Sequence, residues 1–142
     1  QNNEIKRRKI VSSLMSFWPS VYERIKKGEK TIEFRRVFPK ENRFAYMYVT
    51  KPIKAIKGII YFGEKHTISE LKVIYKNNPN MLAQIENNLD SYRFGVDIIG
   101  FKEIEAITLE ELRRNVPDFV APQSYLLLEN NPLLADFIKE RG

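Results

Sequence analysis

Aromatic and small residues alternate along Phe44-Ala45-Tyr46-Met47-Tyr48-Val49-Thr50 and stop at Lys51-Pro52, which predicts a strand ended by proline. Similar runs predict strands over Ile10 to Phe17, Ile56 to Phe62, Tyr92 to Ile99 and Lys102 to Ile107, the last two lying on either side of Gly100. Helical spacing takes over between them. Pro19 to Lys27 places Val21, Tyr22 and Ile25 on one stripe, and Gly28 follows as a C-terminal cap able to take positive φ. Ser69 is expected to cap a helix carrying Leu71, Ile74 and Tyr75, which Asn77-Asn78-Pro79-Asn80 breaks. Met81, Leu82, Ile85 and Leu89 mark the next helix, and Thr108 starts another over Leu109 to Arg114. A proline-led turn at Ala121-Pro122-Gln123-Ser124-Tyr125 enters Leu126 to Leu128, and Pro132 to Lys139 closes the chain as a helix. With no regular βαβ alternation, these elements predict an α+β fold: a small mixed, mostly antiparallel barrel or curled sheet with helices across its ends.

One short stretch carries more charge than packing requires. In Gly28-Glu29-Lys30-Thr31-Ile32-Glu33-Phe34-Arg35-Arg36, period two sends Ile32 and Phe34 to one side, while Thr31, Glu33 and Arg35 form a polar row on the other. Side chains two apart on one face stand roughly 7 Å apart, close enough to hold one small polar ligand. The plain alternative is an edge strand with a solvated face, on which Glu33 pairs with Lys30, Arg35 or a neighbouring strand, contributing only about 0 to 1 kcal/mol.

At 142 residues and 43% hydrophobic content the chain has the size of one domain, spanning 1–142 with residues 1–9 as a basic lead-in and 132–142 as the C-terminal helix. No apolar run approaches the roughly 20 residues that cross a bilayer, and Lys6-Arg7-Arg8-Lys9 has no secretory h-region behind it, so a cytoplasmic monomer without membrane contact is expected. Zero cysteines exclude disulfides and thiolate chemistry, and one histidine, His66, excludes multi-His metal centres; His66 is expected in a surface loop. No metal or cofactor is expected. Charge is unevenly spread. Residues 1–57 hold fifteen Lys and Arg against five Asp and Glu, whereas residues 58–142 hold nine against thirteen. A basic half with interleaved aromatics is the footprint of phosphate and base binding, with Lys26, Lys27, Arg36, Lys51 and Lys54 as candidate phosphate contacts. Trp18 is expected to pack against the first helix.

The order of the pieces resembles the ASCH domain of the PUA-like superfamily. The resemblance is carried by Ser16-Phe17-Trp18-Pro19, by Gly28 to Arg35 matching G-x-K-x-x-E-x-R, and by Met47-Tyr48-Val49-Thr50-Lys51-Pro52, similar to a strand ending in Y-x-T-x-P. Ile56-Lys57-Gly58 and Pro122-Gln123-Ser124-Tyr125 continue it, so it spans residues 16 to 125. It implies a PUA-like β-barrel whose cleft receives RNA or a nucleoside. Lys30, Glu33 and Arg35 would line that cleft, with Tyr48, Gln123 and Ser124 nearby. Lys and Arg would donate to phosphate or base carbonyls, Glu33 would accept from an exocyclic amine, and Tyr48 would stack on the base.

The reading that follows is an RNA- or nucleotide-binding module. One branch of the family resembles small amidohydrolases in which a Lys activates a Thr nucleophile with help from a Glu; here Lys30 is present, but Glu33 occupies the nucleophile position and Thr31 falls too early. Hydrolysis of a modified nucleoside or of RNA, with Lys30 and Glu33 catalytic, stands as the alternative. A second alternative is a protein-interaction coregulator docking onto transcription or translation machinery through the acidic half. Glu33→Ala and Lys30→Ala are expected to abolish ligand binding with little change in thermal stability.

Overall fold

The computed structural model describes residues 11–141. Lys6 to Lys9 and Ile10, the start expected for the first strand, lie outside the described residues. Six strands and five helices follow in the order β1 (Val11–Phe17), α1 (Pro19–Lys26), β2 (Ile32–Arg35), β3 (Asn42–Val49), β4 (Ala55–Thr67), α2 (Ile68–Ile74), α3 (Pro79–Asn88), β5 (Phe94–Thr108), α4 (Leu109–Asn115), β6 (Tyr125–Leu127) and α5 (Pro132–Arg141), with a 3₁₀ turn before α5. The strands form one mixed sheet in the order β2-β5-β4-β3-β1-β6, curled into a half-barrel flanked by helices. β1 runs parallel to β3, and every other neighbouring pair is antiparallel.

Two local expectations are corrected. Gly100 does not divide two strands: Tyr61 pairs with Gly100 and Phe62 with Ile98, so Ile99 is accommodated as a bulge and β5 runs unbroken for 15 residues. The helix expected to be capped by Ser69 begins two residues earlier. Thr67 is its cap, its hydroxyl accepting from Glu70 N–H while Thr67 N–H donates to the Glu70 carboxylate at 2.7 Å, a reciprocal capping box.

Period two along β1 and β3 divides the interior into separate cores. Met15, Phe17, Ala45, Met47 and Val49 face one way, where Tyr22 and Ile25 of α1 plug the curl of the sheet. Leu14 and Tyr48 face the other way and are covered by Leu112 of α4 and Leu134 and Ile138 of α5. A third, smaller cluster joins Ile32 and Phe34 of β2 to Leu71 of α2 and Ile85 of α3. That last contact needs a glycine. A Cβ on Gly95, the residue paired with Phe34, would lie 2.5 Å from Leu71 Cδ1.

Candidate functional site

The chain between α1 and β2 is folded by the signals that its sequence displays. Pro19 occupies the first turn of α1, and Gly28 adopts φ 76° after Lys27. Gly28 N–H then donates to Ile25 O, and Glu29 N–H and Lys30 N–H donate to Arg24 O, so the reversal delivers Lys30 to the mouth of β2. Ile32 and Phe34 enter the third cluster, and Glu33 and Arg35 turn the opposite way.

Glu33 is only 6% exposed and is flanked by two cations. Arg35 Nε donates to Glu33 Oε2 at 2.8 Å, and Lys30 Nζ stands 3.7 Å from Oε1. Arg35 does more than neutralise the carboxylate. Its terminal nitrogens donate to Ser16 O at 3.0 Å and Ser124 O at 3.4 Å, and its guanidinium lies 4.9 Å from the centre of the Phe17 ring. β2 is one edge of the sheet, whereas Ser16 lies on β1 and Ser124 in the turn that leads into β6, the other edge, so the Arg35 side chain links the two ends of the half-barrel. Ser16 secures the Pro122-Gln123-Ser124 turn in the same place, its hydroxyl donating to Pro122 O at 2.5 Å and its N–H to Ser124 O at 3.2 Å. Glu33 therefore holds Arg35 as well as lining the cleft, and this geometry argues against the expectation that its removal leaves stability nearly unchanged: Arg35 would lose its counter-charge in a site that water reaches only slightly.

Lys30 is held less tightly. Burial lowers its pKa; Glu33 opposes that shift, and the charges of Arg24 and Arg35 reinforce it. Its ammonium also faces the Phe34 ring at 5.4 Å. Lys30 thus combines a lowered pKa with a loosely held partner.

Lys30, Glu33, Arg35 and Gln123 line a cavity of about 500 Å³. Gln84, Asn87 and Asn88 of α3 also line it, with Trp18 and Arg24. Trp18, expected to pack against α1, is instead 67% exposed, because it is the N-cap of α1 and lies ahead of the stripe formed by Val21, Tyr22 and Ile25. The sequence signal for the α3 lining was the repeat of amides at Gln84, Asn87 and Asn88, three and four residues apart and so on one helix face.

Other expected residues lie elsewhere. Tyr48 is buried in the second core and does not line the cavity, because both faces of β3 are covered. The half-buried Ser124 contributes its main-chain carbonyl to the Arg35 and Ser16 bonds. Lys26 pairs with Glu103 at 3.0 Å, and Lys27, Arg36, Lys51 and Lys54 are exposed; none of the five lines this cavity. Lys54 instead borders a second cavity, of about 570 Å³, together with Arg113 and Arg114. His66 sits on β4, not in a loop, with Nε2 3.2 Å from Asp97 Oδ2. Among the described residues no three His, Asp or Glu gather as a metal would require, and no helix is long and apolar enough to cross a membrane.

No family model matches the chain. It is 26% identical over 120 residues to an ASCH domain-containing ribonuclease of Zymomonas mobilis subsp. mobilis, covering 79% of this chain and 80% of that protein. Its fold matches the crystal structure of ASCH from Zymomonas mobilis with a TM-score of 0.65 at 24% identity, over 88% of this chain and 94% of that one. A serine-to-alanine mutant of the Zymomonas mobilis protein gives a TM-score of 0.63 at 23% identity, over 87% and 94%.

Proposed function

We propose that the chain is an ASCH-type domain, as its likeness to the Zymomonas mobilis protein supports, and that it binds RNA, or a nucleotide-like part of it, in the cleft over β2. The observation that carries this reading is the balance of charge around the cavity: Arg24, Lys30 and Arg35 stand against Glu33 alone. A concave site of about 500 Å³ with a few convergent polar groups has the dimensions of a small-ligand pocket, and its excess of positive charge favours a phosphate-bearing one. The name of the Zymomonas mobilis relative, a ribonuclease, supports RNA as the polymer.

The test is a titration of fluorescently labelled RNA followed by anisotropy, on the wild type and on Lys30→Gln. A charge-assisted hydrogen bond contributes about 1.5 to 3 kcal/mol, so loss of the ammonium is expected to weaken binding at least tenfold. The slope of log K against log salt is expected to fall by about one. Wild-type protein that binds no RNA, or a Lys30→Gln variant with unchanged affinity and slope, refutes the reading.

A second reading, hydrolysis of the bound RNA, is favoured by the lowered pKa of Lys30 and by the relative's name. The free-amine form of Lys30 would take the proton of a ribose 2′-hydroxyl as that oxygen attacks the adjacent phosphorus and the bond to the 5′-oxygen breaks, the departing oxygen taking its proton from water. Product analysis of the same titrations tests it. Cleavage is expected to disappear in Lys30→Gln, and cleavage that persists there excludes Lys30 from the chemistry.

A further inference from the structure

Other residues lining the cavity offer chemistry that the charged groups of β2 do not use. Trp18 is the only tryptophan in the chain and is 67% exposed at the cavity. Its backbone is fixed: Trp18 is extended at φ −66° and ψ 149°, its carbonyl accepts from Tyr22 N–H at 3.0 Å, and Pro19 follows. A large flat ring is therefore presented to solvent on a rigid base, the form of a stacking platform. In the same lining, Gln84 and Asn87 lie one turn apart on α3, and their side-chain amides make no hydrogen bond to any described residue. Asn88 donates its side-chain N–H to Gln84 O at 2.6 Å, which leaves its own side-chain oxygen as an acceptor. The exposed Arg24 guanidinium completes the ring of groups and forms no ion pair among the described residues.

These residue types divide the work of holding one nucleotide. An indole gives a face, amides give both donors and acceptors for a base edge, and an unpaired guanidinium gives a phosphate contact. A base inside a duplex has both faces covered by its neighbours, so only an unpaired base can lie on Trp18. We propose that the cleft takes one unstacked base of single-stranded RNA, with Trp18 as its platform, Gln84 and Asn87 reading its edge, and Arg24 holding a phosphate. This rests on the RNA-binding reading above and narrows it to single strands.

The chain's single tryptophan supplies its own reporter. Unlabelled single-stranded RNA of mixed sequence and about ten nucleotides is titrated while Trp18 emission is followed, and a labelled copy is followed by anisotropy, alone and annealed to its complement. Quenching is expected to saturate with the anisotropy signal, and the duplex is expected to bind at least about tenfold more weakly. Trp18→Ala is expected to weaken single-strand binding about tenfold, and Trp18→Phe to recover most of that loss, since a ring is restored. Single-strand binding that leaves Trp18 emission unchanged overturns the proposal. So does a Trp18→Ala affinity within about twofold of wild type, or equal affinity for the duplex. If RNA binding depends on Lys30 and not on Trp18, this proposal falls alone; if the wild type binds no RNA, both readings fall.

Discussion

Arg35→Ala should destabilise the protein although the residue sits on an edge strand. The substitution removes the 2.8 Å bond to Glu33 and the two donations, to Ser16 O on β1 and to Ser124 O before β6, that tie β2 to the other end of the sheet. It also leaves Glu33 with only Lys30, at 3.7 Å. Breaking a buried ion pair by removing one partner costs about 3 to 5 kcal/mol. The Arg35 and Glu33 side chains keep 12% and 8% of their exposure, so water can reach them slightly and the lower end, about 3 kcal/mol, is expected. For a chain of this length a loss of that size lowers Tm by about 10 °C, measurable by circular dichroism with urea titrations for the free energy. Arg35→Lys separates charge from geometry. A lysine keeps the positive charge beside Glu33 but lacks the planar fork that reaches two carbonyls, so it should recover only part of the loss. The double variant Glu33→Gln, Arg35→Met should lose less than the sum of the single changes, because no unpaired charge is left behind. An Arg35→Ala variant melting within about 2 °C of wild type would show that the two edges hold together without this side chain.

Two further outcomes follow from packing and from titration. Gly95→Ala should cost about 2 kcal/mol, since the added methyl would meet Leu71 Cδ1 at 2.5 Å and Ile32 Cγ2 at 3.1 Å inside the smallest cluster; a urea midpoint equal to wild type contradicts it. Burial, with help from Glu103 and Glu23, pushes the Tyr22 phenol up to about 12 from 10.0, so the folded state holds this proton more tightly than the unfolded chain does. The stabilisation it gives is complete below pH 10.0 and is lost as pH rises to about 12; Tyr22→Phe should flatten the fall in unfolding free energy across that window, and an unchanged slope would refute the assignment.

The sequence was informative wherever the controlling interactions were local. Pro19, Gly28 and the alternation of Ile32 with Phe34 placed α1, the reversal and the faces of β2, because each depends on residues a few positions away. The cap of α2 was also legible as Thr67-Ile68-Ser69-Glu70, and Ser69 misleads because the glutamate that completes a capping box lies three residues after Thr67. Gly100 resembles a break in isolation, but the partner strand β4 absorbs the extra residue as a bulge, which no reading of β5 alone can reveal. Tyr48 was ambiguous for a different reason: with both faces of β3 buried, period two separates its aromatics without showing which set faces a ligand. Of the candidate site, Lys30, Glu33, Arg35 and Gln123 were read from the motifs and do line one cavity, but the second duty of Arg35 was hidden because its carbonyl partners lie 19 and 89 residues away. Trp18 was assigned to packing although it lies outside the apolar stripe of α1, and the amides of α3 went unread because they belong to no apolar stripe.

The helix wall rests on the third cluster alone, where Ile85 is the one fully enclosed residue of α3 and Gln84 and Asn87 point away from it. Positions 84 and 87 can therefore change identity without disturbing any core, while the floor at Glu33 and Arg35 is bound into the closure of the sheet. Such a division gives the architecture a fixed half and an adjustable half. Drift at a few solvent-facing positions of one helix would retune what the cleft accepts, at almost no cost in folding, and lineages sharing this framework could diverge in ligand while keeping the same β2.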